Sequence, residues 1–262
     1  MRIISVANQK GGVGKTTTAI NLAAGLGAMG HRTLLIDLDP QGNASTGLGI
    51  EPFARTLTSY DLLLEQAPLA EIIQKTNHQN VDIVPGNSDL SSADIELVAN
   101  EKRSFLLHDS LRSVQAGALG YDFIIIDCPP SLSLLTVNAL VASHSVLVPL
   151  QSEFFALEGL SQLMLTIRDI RKTANPDLRI EGVLMTMSDN RNRLSQQVEM
   201  DARANLGKLV FQTTIPRNVR VSEAPSYGLP VLTYDPQSKG AEAYRSLASE
   251  LAKRYGKDAA TA

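Results

Sequence analysis

Ile3-Ile4-Ser5-Val6-Ala7-Asn8-Gln9-Lys10-Gly11-Gly12-Val13-Gly14-Lys15-Thr16-Thr17 is the stretch that decides the fold. It opens with a short apolar run of strand length and passes through a glycine-rich loop. It then enters an Ala- and Leu-rich helical pattern over residues 15–29 that stops at Gly30. Strand, loop and helix in that order are what a phosphate-binding loop requires. Gly11, Gly12 and Gly14 let the backbone curl so that successive N–H groups, including that of Val13, point inward at an anion. The start of the helix adds its partial positive charge. Lys15 can reach β- and γ-phosphates, the Thr16 hydroxyl can ligate Mg²⁺, and Thr17 extends the cradle. The standard pattern would place a glycine where Gln9 stands, so the loop is the variant form with a second lysine, Lys10. The alternative, a glycine turn without a ligand, gives no reason for Gly-Lys-Thr-Thr between a buried strand and a helix.

Two later apolar runs end in aspartate. Ile36-Asp37-Leu38-Asp39-Pro40 closes one and Ile124-Ile125-Ile126-Asp127-Cys128-Pro129 closes the other. A carboxylate directly after a buried strand suits a Mg²⁺ site, reached through water. Asp37 and Asp39 are two apart and share a side of an extended segment. One could orient an attacking water while the other supports the metal or the loop. Each aspartate alone could equally cap a turn. Cys128 reads as a small buried residue beside the site.

Outward from these motifs, strand-like runs at residues 33–37, 81–84, 123–127, 145–150, 180–187 and 209–213 alternate with helical patterns. The helices are expected at 59–65, 69–75, 91–100, 104–115, 134–142, 157–173, 195–205 and 241–255. Continuous apolar strands between helices imply one α/β domain over residues 1–262, a mostly parallel twisted sheet with helices on both faces and a polar tail from about residue 256. Ligands in such sheets sit at the carboxyl ends of the strands. The chain is 44% hydrophobic and 19% charged with net charge −3, which excludes disorder as its main character. One cysteine excludes an internal disulfide and suits a reducing cytoplasm. Four scattered histidines show no metal spacing. There is no secretory signal and no run of the ~20 apolar residues that would span a bilayer.

Lys-Gly-Gly-Val-Gly-Lys-Thr-Thr (10–17), Asp-Leu-Asp-Pro-Gln-Gly-Asn (37–43), Ile-Asp-Cys-Pro-Pro-Ser (126–131), Phe-Ala-Leu-Glu-Gly-Leu (155–160) and Ile-Pro-Arg-Asn-Val-Arg (215–220) together resemble the ParA/Soj chromosome-partitioning ATPases, of the deviant Walker A P-loop group that also contains MinD and the nitrogenase iron protein. The likeness runs over nearly the whole chain. It implies an Mg²⁺-dependent ATPase. Lys10 resembles the signature lysine that crosses a dimer interface to the partner's nucleotide. Asp39 resembles the residue that polarises the hydrolytic water, and Asp127 the Walker B aspartate. Pro216 and Asn218 fall where the family meets the adenine side. An ATP-dependent homodimer that binds duplex DNA without sequence preference is implied, with a ParB-type partner stimulating hydrolysis. A cytoplasmic, nucleoid-associated protein without stable membrane association follows.

Residues 168–220 carry ten basic and six acidic side chains, a net +4 within a chain of −3. That asymmetry permits a basic face for phosphate contacts, although charge alone equally describes an ordinary solvated surface. Arg191, Arg217 and Arg220, expected in loops after strands, are the candidate DNA contacts. A MinD-like membrane ATPase would need a basic amphipathic terminal helix. Here Tyr244, Leu247, Ala248 and Leu251 read as a stripe docked on the core, and the tail lacks large apolar residues. Iron–sulfur work is excluded by the single cysteine. A small-molecule phosphotransferase or synthetase would need an acceptor pocket that no motif announces.

Overall fold

The computed structural model describes residues 1–113, 118–153, 156–189 and 191–256, with the backbone alone over 156–158. The strands are β1 (Arg2–Val6), β2 (Thr33–Asp37), β3 (Gln74–Lys75), β4 (Val81–Val84), β5 (Phe123–Asp127), β6 (Ser145–Gln151) and β7 (Arg179–Thr186). They form one sheet in the order β3-β4-β2-β5-β1-β6-β7, parallel throughout except for β3 on β4.

Alternation along each strand divides the core between the two faces. Ile3, Leu34, Ile36, Ile124 and Ile126 face one side. There they pack with α5 (Leu90–Val98), α6 (Leu106–Arg112), α7 (Leu134–Ala142) and α8 (Ala156–Thr173), named after the shorter α2 (Asn43–Gly47), α3 (Ser59–Leu63) and α4 (Leu69–Ile72). Ile4, Val6, Leu35 and Ile125 face the other side, under α1 (Lys15–Ala28) and the last helix. The chain continues through α9 (Arg193–Leu206), α10 (Val219–Glu223), α11 (Val231–Tyr234) and α12 (Lys239–Gly256).

Tyr244, Leu247, Ala248 and Leu251 of α12 are all buried, and Ala248 lies so close to α1 that a Cβ on Gly25 would meet its own Cβ at 2.8 Å. The stripe is therefore spent on the core, as the helical spacing implies. No helix among the described residues is long and apolar enough to cross a membrane. Residues 257–262 of the expected tail, Phe155 of the 155–160 motif and residues 114–115 of an expected helix lie outside the described residues.

Two expected elements come out differently. The helix over 69–75 ends at Ile72, and Gln74 and Lys75 instead add the antiparallel edge strand. The expected strand over 209–213 is reduced to one bridge, Val210 to Val183. The Glu250 carboxylate of α12 accepts from the N–H groups of Gln212 and Thr213, both at 2.9 Å, so those donors are withdrawn from any ladder.

Candidate nucleotide site

The parallel register puts Asp127 opposite Val6 on one side and opposite Asp37 on the other. The phosphate-loop candidate leaves the end of β1, so the loop and both strand-ending aspartates share the carboxyl end of three adjacent strands. That is where sheets of this kind hold ligands.

The loop needs glycine at two points. Gly12 and Gly14 have φ of 73° and 85°, a left-handed backbone that other residues adopt only with strain. Neighbouring strands fix the loop's shape. Asn8 Nδ2 donates to the Pro149 carbonyl at the end of β6 (2.7 Å), and Asn8 Oδ1 accepts from Lys10 N–H (3.0 Å). Thr186 Oγ1, the last residue of β7, donates to the Val13 carbonyl (2.8 Å). Gly11 and Gly12 are exposed, Val13 is buried, and Thr16 and Thr17 are half-buried in the first turn of α1. No acidic side chain occupies that turn, which leaves its positive end for an anion.

Lys15 is 6% exposed and its Nζ donates to the Lys10 carbonyl at 2.9 Å. Burial lowers its pKa, opposed chiefly by the nearby charge of Asp127. Lys10 lies at the loop's mouth, its Nζ 2.8 Å from Glu153 Oε2.

Asp37 and Asp127 are both fully buried. Asp37 is surrounded by donors: Oδ2 accepts from Ser45 N–H (2.9 Å) and Ser45 Oγ (2.7 Å), and Oδ1 from Asp39 N–H (3.2 Å). Burial still pushes its pKa up to about 6. Asp127 has no hydrogen-bond partner for either oxygen, and the Thr16 hydroxyl faces it closely enough to favour the charged form without completing a bond. Burial, then the charge of Asp37, raise its pKa well above the usual carboxylate range. An orphaned buried carboxylate beside a lysine and a threonine hydroxyl is what a hydrated cation would satisfy. Asp39 is 8% exposed, with Oδ1 accepting from Gln41 N–H at 2.9 Å. Cys128 is buried and burial raises its thiol pKa, so it is a packing residue.

Residues 215–217 run beside the end of β7. Ser188 N–H donates to the Ile215 carbonyl and Arg217 N–H to the Ser188 carbonyl, both at 3.0 Å. Pro216 thereby comes to the same edge as Thr186, and Met187 lies 3.9 Å from where Gly14 would carry a Cβ. Asn218 Oδ1 caps α10 by accepting from Arg220 N–H at 2.9 Å. Arg191 and Arg217 line a hollow of about 1000 Å³ with Asp189, Pro216 and Lys239. Arg220 stands apart from it. It sits in α10 rather than in the expected loop, paired with Glu223 (2.9 Å) and Asp235 (3.3 Å). Arg191 pairs with Asp189 at 3.1 Å across an exposed surface, a contact worth little in water.

Asn8, Thr186, Ser45 and Glu153 did not stand out in the sequence. The fold brings Thr186 to Val13 across 173 residues and Glu153 to Lys10 across 143, while Asn8 bonds Lys10 two residues away and Ser45 bonds Asp37 eight residues away.

Residues 1–180 match the family described as AAA domain. The chain is 54% identical over 254 residues to the chromosome partitioning protein ParA of Caulobacter vibrioides (strain NA1000 / CB15N), covering 97% of this chain and 95% of that one. It is 52% identical to the sporulation initiation inhibitor protein Soj of Bacillus subtilis (strain 168), covering 96% and 98%. Among solved structures, cobyrinic acid a,c-diamide synthase from Mycobacterium smegmatis with bound ADP and magnesium superposes with a TM-score of 0.84 at 36% identity, over 98% of this chain and 96% of that one. With the loop, the paired strand-ending aspartates and this full-length likeness together, the chain belongs to the ParA/Soj family of P-loop chromosome-partitioning proteins.

Proposed function

We propose that this chain hydrolyses ATP to ADP and phosphate and uses that cycle to partition DNA. The observation that carries the reading is the unpartnered Asp127 carboxylate, buried beside Lys15 and the Thr16 hydroxyl at the mouth of a preformed phosphate loop. Residues 10–17 cradle the phosphates, with Lys15 supplying the charge. Pro216 and Asn218 flank the base. Thr16, with Asp127 and Asp37 behind it, would hold Mg²⁺, which would neutralise phosphate charge, while Asp37 keeps its hydrogen bonds to Ser45 and Asp39. Asp39 orients the attacking water. Magnesium and ADP in the similar M. smegmatis structure support this set.

Lys10 reaches across a two-fold interface to the partner's nucleotide, so ATP makes a homodimer. The dimer doubles the basic surface around Arg191, Arg217 and Arg220 and holds duplex DNA through phosphates, without sequence preference. A ParB-type partner accelerates hydrolysis and so release, in the cytoplasm on the nucleoid. The ParA and Soj relatives support the partitioning role.

The test is turnover with and without DNA and a ParB-type peptide, run beside two variants. Asp39→Ala should keep ATP binding and dimerisation, lose hydrolysis and stay on DNA. Lys10→Ala should bind ATP as a monomer. A trapped Asp39→Ala dimer that binds liposomes but not duplex DNA at moderate salt would replace partitioning with a MinD-like role. The diamide synthase name of the similar M. smegmatis structure suggests amide formation. Drawing ammonia from glutamine needs a nucleophilic thiolate, and Cys128, the chain's one cysteine, is buried with its thiol pKa raised.

A further inference from the structure

Asp37 does not hold its position alone. Ser45 gives its Oδ2 two hydrogen bonds, one from the backbone (2.9 Å) and one from Oγ (2.7 Å). The same Oγ accepts from Gly86 N–H at 3.0 Å. A hydroxyl has one proton to give, and this one is committed to Asp37 while a lone pair takes Gly86. Gly86 packs against the backbone of the aspartates: a Cβ there would meet the Asp37 carbonyl at 2.9 Å and the Asp39 carbonyl at 3.1 Å. Ser59 Oγ donates to the Asp37 carbonyl at 2.5 Å, and Arg55 Nη1 to the Gly86 carbonyl at 3.1 Å. Ser45 is fully buried, so no solvent molecule substitutes for it cheaply. The chain of contacts reaches Asp39 because Asp37 Oδ1 accepts from Asp39 N–H at 3.2 Å.

We propose that Ser45 is a positioning residue for ATP hydrolysis: by fixing the Asp37 carboxylate it fixes the backbone of Asp39 and so aims the Asp39 side chain. This rests on the reading of Asp39 as the group that orients water. None of the hydrogen bonds of Ser45 goes to residues 10–17, so its loss acts on the chemical step and not on nucleotide capture. A catalytic group displaced by a fraction of an ångström loses rate steeply.

Steady-state ATPase of the full chain tests this with Ser45→Ala, Ser45→Cys and Asp39→Ala, alongside ATP affinity and thermal midpoint. Ser45→Ala should lower kcat about tenfold, the loss of one bond to a charged group, with KM and ATP affinity within about twofold of the parent. Ser45→Cys keeps the size and a weak donor, and should recover part of kcat at the same KM. It carries the test if the alanine variant folds poorly. Unchanged kcat in both Ser45 variants, with Asp39→Ala inactive, overturns the proposal while sparing the Asp39 reading. Parallel loss of affinity, thermal midpoint and kcat in both overturns it too, since that is general destabilisation. Full turnover by Asp39→Ala overturns the Asp39 reading, and this proposal with it.

Discussion

The two ends of the sheet both carry buried polar groups, but only the carboxyl end leaves a carboxylate without a donor among the described residues. At the amino end, His144 is half-buried and its Nδ1 accepts from Ile3 N–H at 3.0 Å, while Nε2 faces Arg112 at 3.3 Å. Ser5, Ser143 and the Ala139 carbonyl satisfy one another nearby. At the carboxyl end, Asp127 is fully buried with neither oxygen bonded, and Lys15 is 6% exposed with a backbone carbonyl for partner. A fully buried carboxylate left bare at the carboxyl end is a group that something from outside can complete. Stability is given up where function is to be performed.

The largest expected effect breaks or upholds that contrast directly. Lys15→Ala should weaken ATP binding on the order of 100-fold, since a charge-assisted phosphate contact is lost. Calorimetric titration giving near-parental affinity would mean the carboxyl end is not a phosphate site.

The next effect concerns stability rather than binding. Asp127→Asn replaces a buried carboxyl group that no donor satisfies and should raise nucleotide-free stability by about 1–2 kcal/mol while weakening Mg²⁺-ATP binding. Asp37→Asn should do the reverse to the fold, lowering stability by about 1–3 kcal/mol, because the amide NH₂ must face donors on Ser45 or the Asp39 N–H, whichever way it is turned. Urea midpoints of the two variants moving the same way would erase the distinction between these adjacent aspartates.

Much of this arrangement was legible in the sequence, for identifiable reasons. Apolar strands over 33–37, 81–84 and 123–127 sit in the structure as read, because a parallel sheet covered on both faces imposes continuous burial. The phosphate loop was legible because glycine and lysine have no packing rationale there. What stayed hidden depends on contacts between distant segments. Glu250 removes a strand at 209–213 by capturing two N–H groups. Ser45 is an unremarkable residue of a Gly/Asn/Ser-rich stretch until the fold brings Asp37 and Gly86 to it. The edge strand of Gln74 and Lys75 is two polar residues long, too short for any periodicity. The helix around Arg220 starts from an Asn218 cap that a loop would equally use.

The amino end offers a pH test. Burial, then the Arg112 charge, holds His144 down at about 4 against 6.5 for a free imidazole. Between those values the unfolded chain binds the extra proton, so stability falls as pH drops from about 6.5 toward 4 and is constant above and below that window. Its half-exposure reduces the contribution to about 1–2 kcal/mol. His144→Gln should flatten that part of the profile, measured by urea unfolding without nucleotide. An unchanged profile would show the histidine titrating as it does in water.

The smallest effect is at the surface. Arg191→Glu should weaken all duplex sequences alike by a few-fold and flatten the salt dependence, leaving basal hydrolysis nearly intact. Filter binding over a salt series would show it; a change confined to one sequence would point to base contacts instead.

The hydrogen bond from Lys15 to the Lys10 carbonyl has a consequence for how the loop reports its own occupancy. An ammonium already held by the main chain needs no rearrangement of the loop to stay buried, so the cradle keeps its shape between ligands. If a phosphate draws Lys15 away, as the proposed function expects, the carbonyl that loses its donor belongs to Lys10, the residue at the loop's mouth that pairs with Glu153. On the proposed function, filling the inside of the loop would free the main-chain carbonyl of the residue that faces outward, and occupancy would show at the surface.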